Sequence, residues 1–281
     1  MDIILTGIAR SGTTLTCSLL NLLPRCVALH EPMSPLALAG LRFPSEFMKQ
    51  VGDFFAEQRA SLMATGTALS KGADGQVPEN PFGEARDSLG LRKSVVTAQR
   101  VRFDKPLPTG FRLVVKHPNF FTATLETLQP SYRCYAIVRN PLAAVLSWHS
   151  ISAPVNRGRL PSGEAFDPVL KAALDAEPDR LERQMVILRW YFGRYSALLP
   201  RERVIRYEDI VSTGGRALSV IDPDADSLAV PLESRNRSPQ YDPSMVRLLA
   251  DRVTSAEREF SPFYSRSDVA DLRDAWIRNA G

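Results

Sequence analysis

The stretch LTGIARSGTTLTCSLLN, residues 5 to 21, constrains the fold of this chain more than any other. An apolar run suited to a buried strand passes into a loop bounded by Gly7 and Gly12, and then into a helical pattern. Strand, glycine-bounded loop and helix in that order make a cradle of backbone N–H groups at a helix N-terminus, which favours an anion whatever the side chains are. The Gly-x4-Gly spacing of a phosphate loop is intact, and Thr14 holds its Ser/Thr place, but Thr13 stands where the lysine belongs. Without that lysine the loop lacks the cation that reaches the β- and γ-phosphates of a nucleoside triphosphate. Arg10, inside the loop, offers a guanidinium nearer the first phosphate. Glycines in a strand–helix turn can also serve packing alone, so the loop needs support from elsewhere in the chain.

Beyond it, short apolar runs alternate with helical patterns, which predicts an α/β fold with a central parallel sheet. Strands are expected at Ile3–Gly7, Cys26–Leu29, Arg112–Val115, Tyr135–Val138 and Val204–Arg206. Helices are expected at Thr13–Leu22, Phe120–Leu128, Pro141–Ser150, Arg180–Leu198 and Pro243–Phe260, with Pro141 as a first helical residue. Two stretches fit the sheet poorly: about 34–110, with a helix near Ser45–Ala60, and about 153–179. Both are rich in proline and glycine and read as insertions that form binding loops. The 281 residues, 44% of them hydrophobic, suffice for one packed core, so a single domain over 1–281 is expected.

Charge and cysteine content exclude several classes. A net charge of +4 suits an anionic ligand but is too small and too dispersed to indicate nucleic acid. Cys17, Cys26 and Cys134 form neither a disulfide framework nor a zinc spacing, which favours a reducing compartment. A strand beginning by Ile3 leaves no room for a leader, and no apolar run reaches membrane-spanning length, so a cytoplasmic location is expected. His30, His117 and His149 lie far apart, without the spacing of a closed metal site, and a metal-free site is expected.

A second motif gives the loop its partner. In YAIVRNPLAAVLSWHS, Arg139 ends a strand, and Ser147 follows eight residues later on the next helix. Ligands of open α/β sheets sit beyond the carboxyl ends of the strands, so Arg139 faces the same rim as the loop. A guanidinium and a hydroxyl there can clasp a second phosphate. Capping or pairing with a carboxylate is the plainer role for such an arginine.

Together these elements resemble the sulfotransferase family, whose donor is 3′-phosphoadenosine 5′-phosphosulfate (PAPS). RSGTT is similar to its 5′-phosphosulfate loop and RNPLAAVLS to its 3′-phosphate element. IRYEDI (Ile205–Ile210) and HEP (His30–Pro32) resemble two further stretches, in the expected order. The resemblance implies a P-loop NTPase-like three-layer fold, PAPS as co-substrate and 3′,5′-adenosine bisphosphate (PAP) as product. It implies that Arg10, Ser11, Gly12, Thr13 and Thr14 hold the 5′-phosphosulfate, that Arg139 and Ser147 hold the 3′-phosphate, and that Tyr207 lies near the adenine. Lys116 would neutralise the sulfonate. Leu15 stands where cytosolic members place a tryptophan, and their C-terminal Arg-Lys-Gly motif is absent, so Arg235 and Arg237 in ESRNRSP (Glu233–Pro239) are the substitutes offered. With HEP, these differences place the chain nearer the carbohydrate-type or bacterial branch.

Two general bases compete. Glu31 resembles the glutamate of carbohydrate-type members, and burial would have to raise it from an ordinary pKa of about 4.3. His117 resembles the histidine of cytosolic members, but Lys-His replaces their Lys-x-His, and one residue turns a strand side chain to the opposite face. That favours Glu31. His30 and His149 read as structural. The insertions would form the acceptor side, for a small molecule or carbohydrate. A phosphate-loop kinase, or a non-catalytic nucleotide-binding module of the same fold, is the alternative reading.

Overall fold

The structure is a computed structural model that describes residues 1–238, 241 and 243–279. In chain order the strands are β1 (Asp2–Gly7), β2 (Cys26–His30), β3 (Thr67–Gly72), β4 (Phe82–Arg86), β5 (Arg92–Ser94), β6 (Thr97–Arg102), β7 (Arg112–Lys116), β8 (Arg133–Val138) and β9 (Val204–Arg206). Five of them form one parallel sheet in the order β2-β7-β1-β8-β9. Residues Ile3–Gly7 of β1 are buried throughout, as a central strand covered on both faces must be, which explains an apolar run without alternation. The α/β class and the phosphate-loop arrangement expected from the sequence are therefore what the chain adopts: a parallel sheet flanked by helices, with the glycine-bounded loop leaving its central strand.

Strand order decides where a ligand can sit. From β1 the chain builds β2 and β7 on one side, then crosses to β8 and β9 on the other. That reversal opens a crevice at the carboxyl end of β1. Around the sheet lie α1 (Thr13–Asn21), α2 (Pro35–Leu38), α3 (Ser45–Thr65), α4 (Pro118–Ala123), α5 (Leu125–Leu128) and α6 (Pro141–Trp148). After them come α7 (Pro161–Glu164), α8 (Pro168–Ala176), α9 (Arg180–Leu198), α10 (Tyr207–Ser212), α11 (Pro243–Thr254), α12 (Glu257–Phe260) and α13 (Arg266–Asn279). Among the described residues no helix is long and apolar enough to cross a membrane.

Several elements depart from expectation for identifiable reasons. The helix expected over Phe120–Leu128 starts earlier, on Pro118, and breaks at Thr124, whose hydroxyl bonds back to the Phe120 carbonyl at 2.9 Å. The pattern over Pro243–Phe260 likewise divides into α11 and α12. The first insertion is not irregular: β3 pairs antiparallel with β6, and β4 with β5. Its β3 alternates buried and half-buried residues, and the Ser70 hydroxyl accepts the His30 N–H at 2.9 Å, so β3 covers the outer edge of β2.

Candidate active site

All five parallel strands end at one rim, and each delivers a residue of interest there. After β1 the loop turns tightly. A Cβ on Gly7 would lie 2.5 Å from the Ile137 carbonyl oxygen, and one on Gly12 would lie 2.6 Å from Tyr207 Cδ2. Gly12 also has φ 87°, left-handed backbone that favours glycine. Since α1 begins at Thr13 with no side-chain cap, the N–H groups of Thr13 and Thr14 have no partner within the helix. Ser11 is different: its N–H donates to Ile8 O at 3.0 Å and its hydroxyl to Ile137 O at 2.7 Å. Both of these Ser11 groups therefore hold the turn. Trp148 Nε1 donates to Ala9 O at 2.7 Å and ties the loop to α6.

Arg139, 4% exposed, follows β8 and reaches the loop, where its Nη1 donates to Arg10 O at 3.0 Å. Its Nε donates to Asn236 Oδ1 at 2.7 Å, and its guanidinium lies over the Tyr207 ring, 4.9 Å from the centroid. The remaining nitrogen, Nη2, is buried without a partner. Arg10 Nε donates to Ser147 Oγ at 3.3 Å and Nη2 to Asn80 Oδ1 at 3.1 Å, with Phe82 beneath the guanidinium. Burial, with Arg139 and Arg92 as cationic neighbours, presses Arg10 below the ordinary arginine value to about 9, which leaves it charged at neutral pH. The loop, Arg139, Ser147 and Tyr207 therefore meet in one place.

The Tyr-Glu-Asp run supports them. Tyr207 packs on Gly12, and its hydroxyl accepts the Arg235 N–H at 3.0 Å. Glu208 accepts from Asn236 Nδ2 at 2.8 Å and from the Asn140 N–H at 2.9 Å, so it fixes the amide that holds Arg139. Sequence reasoning missed Asn236 and this function of Glu208, because their meeting depends on the path of residues 231–238. Arg235 lines the cavity, whereas Arg237 is exposed and does not.

On the other side of β1, Lys116 is only 2% exposed rather than a solvated strand-end lysine. Its Nζ donates to Glu31 Oε1 at 2.9 Å and to His30 Nδ1 at 3.0 Å, and lies 3.5 Å from Thr14 Oγ1. Lys71, from β3, donates to Glu31 Oε2 at 2.8 Å. Here the structure corrects an expectation. Burial alone would raise the Glu31 carboxyl, but the ammonium groups of Lys116 and Lys71 hold it well below the usual carboxylate range. Burial, with Lys116 beside it, keeps His30 well below the ordinary histidine value, and so neutral.

His117 needs a second correction. It stands just past the last β7 residue, so strand alternation no longer governs it, and it lines the same cavity as Lys116. Its Nε2 accepts the Met33 N–H at 3.1 Å, and burial lowers it to about 3. A neutral ring with that lone pair already engaged is poorly placed to take a proton. His149 pairs with Gln184 Oε1 at 2.8 Å and does not line the cavity.

Arg10, Glu31, Lys116, Arg139, Ser147 and Tyr207 line one cavity of about 870 Å³. Its lining also includes the apolar side chains of Met33, Leu36, Phe120, Val155 and Leu160. Among the described residues no three His, Cys, Asp or Glu side chains are grouped to hold a metal ion.

No protein-family model matches the chain, and no curated protein matches it. Among solved structures it is similar to a sulfotransferase from Alicyclobacillus acidocaldarius, at 15% identity over 92% of each chain with a TM-score of 0.43. It is also similar to sulfotransferase STF1 from Mycobacterium tuberculosis H37Rv, at 13% identity over 90% of this chain and 76% of that one, TM-score 0.38. Sulfotransferase STF9 from Mycobacterium avium is similar at 15% identity, over 93% and 75% of the two chains, TM-score 0.37.

Proposed function

We propose that this chain is a sulfotransferase that moves the sulfonate of PAPS to a hydroxyl or amine of an acceptor. The observation that carries the reading is Arg139 Nη2, a buried donor without a partner, beside a phosphate loop that has no lysine. A buried N–H left unpaired is costly, and an anion at that point would satisfy it. In this reading the second anion subsite adjoins the first from the side rather than extending it, which suits a nucleotide with phosphates on two ribose carbons. It suits a triphosphate chain poorly.

In this reading residues 1–281 act as one domain, with insertions that contribute the acceptor wall. The bond from sulfur to the 5′-phosphate oxygen breaks as the acceptor heteroatom donates a lone pair to form the new bond to sulfur. The electron pair of the broken bond stays with the phosphate as PAP leaves, and the acceptor proton passes to a base. Arg10 and the N–H groups of Thr13 and Thr14 face the charge that grows on the 5′-phosphate. Lys116 lies between that loop and Glu31, within reach of the sulfonate. An anion in the loop competes for Lys116, so the Glu31 carboxylate becomes more basic once the donor is bound. Glu31 is therefore the base in this account, with His117 a buried neutral support. The transferred group carries less charge than a phosphoryl group, and no step calls for a metal. The apolar wall of Met33, Phe120, Val155 and Leu160 favours acceptors with a hydrophobic body beside the reacting hydroxyl.

Incubation of the purified chain with PAPS and a panel of hydroxylated acceptors, followed by chromatography of PAP, tests this reading. Acceptor-dependent PAP release is expected, and Glu31→Gln should lower kcat by about 10²–10⁴-fold while PAP still binds. Unchanged kcat in the variant would contradict the assignment of the base.

A further inference from the structure

Arg92 lies on β5, in the first insertion, and was not expected near the nucleotide. Its backbone is stitched to the segment after α6: its N–H donates to Ser150 O at 3.1 Å, and its carbonyl accepts from Ser152 N at 2.9 Å. The side chain is 9% exposed and lines the same cavity as Arg10, Arg139 and Ser147. Its Nη2 donates to Ser150 Oγ at 3.0 Å, and that hydroxyl donates in turn to Ser147 O at 2.8 Å. Its Nε is buried and has no partner.

Three guanidinium groups, at positions 10, 92 and 139, thus share one cavity. Among the described residues none of the three forms a salt bridge, and Glu84, which lines the same cavity, acts on Arg92 without pairing with it. Two of the three keep a buried N–H unspent. Like charges gathered in a partly buried cluster without a salt bridge are unfavourable, so the cluster favours an anion carrying more than one charge. A phosphate monoester is dianionic near neutral pH and accepts several N–H groups at once. Of the arginines expected to replace the missing C-terminal motif, Arg237 is exposed and off the cavity, and Arg235 is itself exposed, with its backbone N–H engaged by Tyr207.

We infer that Arg92 is the second guanidinium of the ribose 3′-phosphate clasp, joining Arg139 and Ser147 from the insertion. The inference rests on the PAPS reading and narrows it: the first insertion recognises the donor as well as the acceptor. Arg92 is then a specificity residue that separates nucleotides with a 3′-phosphate from those without one.

Calorimetric titration of wild type, Arg92→Ala and Arg92→Lys with PAP and with adenosine 5′-monophosphate tests it. Arg92→Ala should weaken PAP about 10–100-fold and leave the monophosphate within about twofold, because only PAP carries the group contacted. Arg92→Lys keeps the charge but not the fork, so an intermediate PAP affinity is expected. If Arg92→Ala does not fold, Arg92→Lys carries the test, with PAP weakened several-fold and the monophosphate unchanged. Equal PAP affinity in wild type and the folded variant overturns the role of Arg92 and leaves the donor reading standing. Equal weakening of both nucleotides overturns it too, since Arg92 would then act through the fold. Failure of wild type to bind PAP sinks the donor reading itself.

Discussion

Glu31 shares its two carboxylate oxygens between two ammonium groups, with Lys116 at 2.9 Å and Lys71 at 2.8 Å. It also has φ 45°, and Arg10 has φ 70°, so two of the residues assigned to the chemistry hold left-handed backbone that side chains rarely adopt. Strain of that kind is kept where the surroundings fix a residue for use. A carboxyl held low stays ionised as pH falls and takes up its proton only below the usual range. Removing one cation returns it toward that range. Lys71→Met should therefore bring the acid limb of the kcat/KM profile to higher pH than in wild type, measured downward from pH 8 to the lowest pH at which both proteins stay folded. A limb that stays in place, or moves down, would separate Glu31 from the proton transfer. That Glu31, Lys116, Arg10, Arg139 and Ser147 share one rim was legible in the sequence, because each follows a strand end or sits at a fixed spacing. Lys71, Arg92 and Asn236 were not, because a long insertion and an irregular segment bring them in, and no local pattern encodes that path.

At the scale of elements, the strand ends organise everything. Buried strands are apolar without interruption and end where a charged or polar residue meets the rim, so β1, β7, β8 and β9 could be read directly. The small strands of the first insertion could not: β4 and β6 are largely exposed and polar, and nothing in their composition separates strand from loop. The contact between the loop and α10 depends on Gly12, where a methyl group would meet both a positive φ and the Tyr207 ring. Gly12→Ala should cost about 1–3 kcal/mol of stability, measured by denaturant unfolding, and weaken PAP as the loop shifts. A variant as stable as wild type with unchanged PAP affinity would mean that the loop and α10 are not held in register.

Across the whole molecule, a mild positive charge is concentrated where it acts. Cations from β3, β5 and β7, and from the loops after β1 and β8, converge on one cavity, while ion pairs such as Arg25–Asp224, Lys49–Asp53 and Lys171–Asp175 lie at the surface. The parallel sheet is what lets residues more than 100 positions apart, such as Arg10 and Arg139, touch through a 3.0 Å hydrogen bond. That meeting of the Arg139 guanidinium with the loop after β1 is the basis of the proposed donor, a ribose carrying two phosphates. The most direct measurement is calorimetric titration of PAP and of ATP with Mg²⁺ into wild type and Arg139→Ala. The account predicts that PAP binds wild type without metal and more tightly than ATP–Mg²⁺, and that Arg139→Ala weakens PAP by about 10–100-fold. Equal PAP affinity in both proteins, or a preference of wild type for ATP–Mg²⁺, would contradict it.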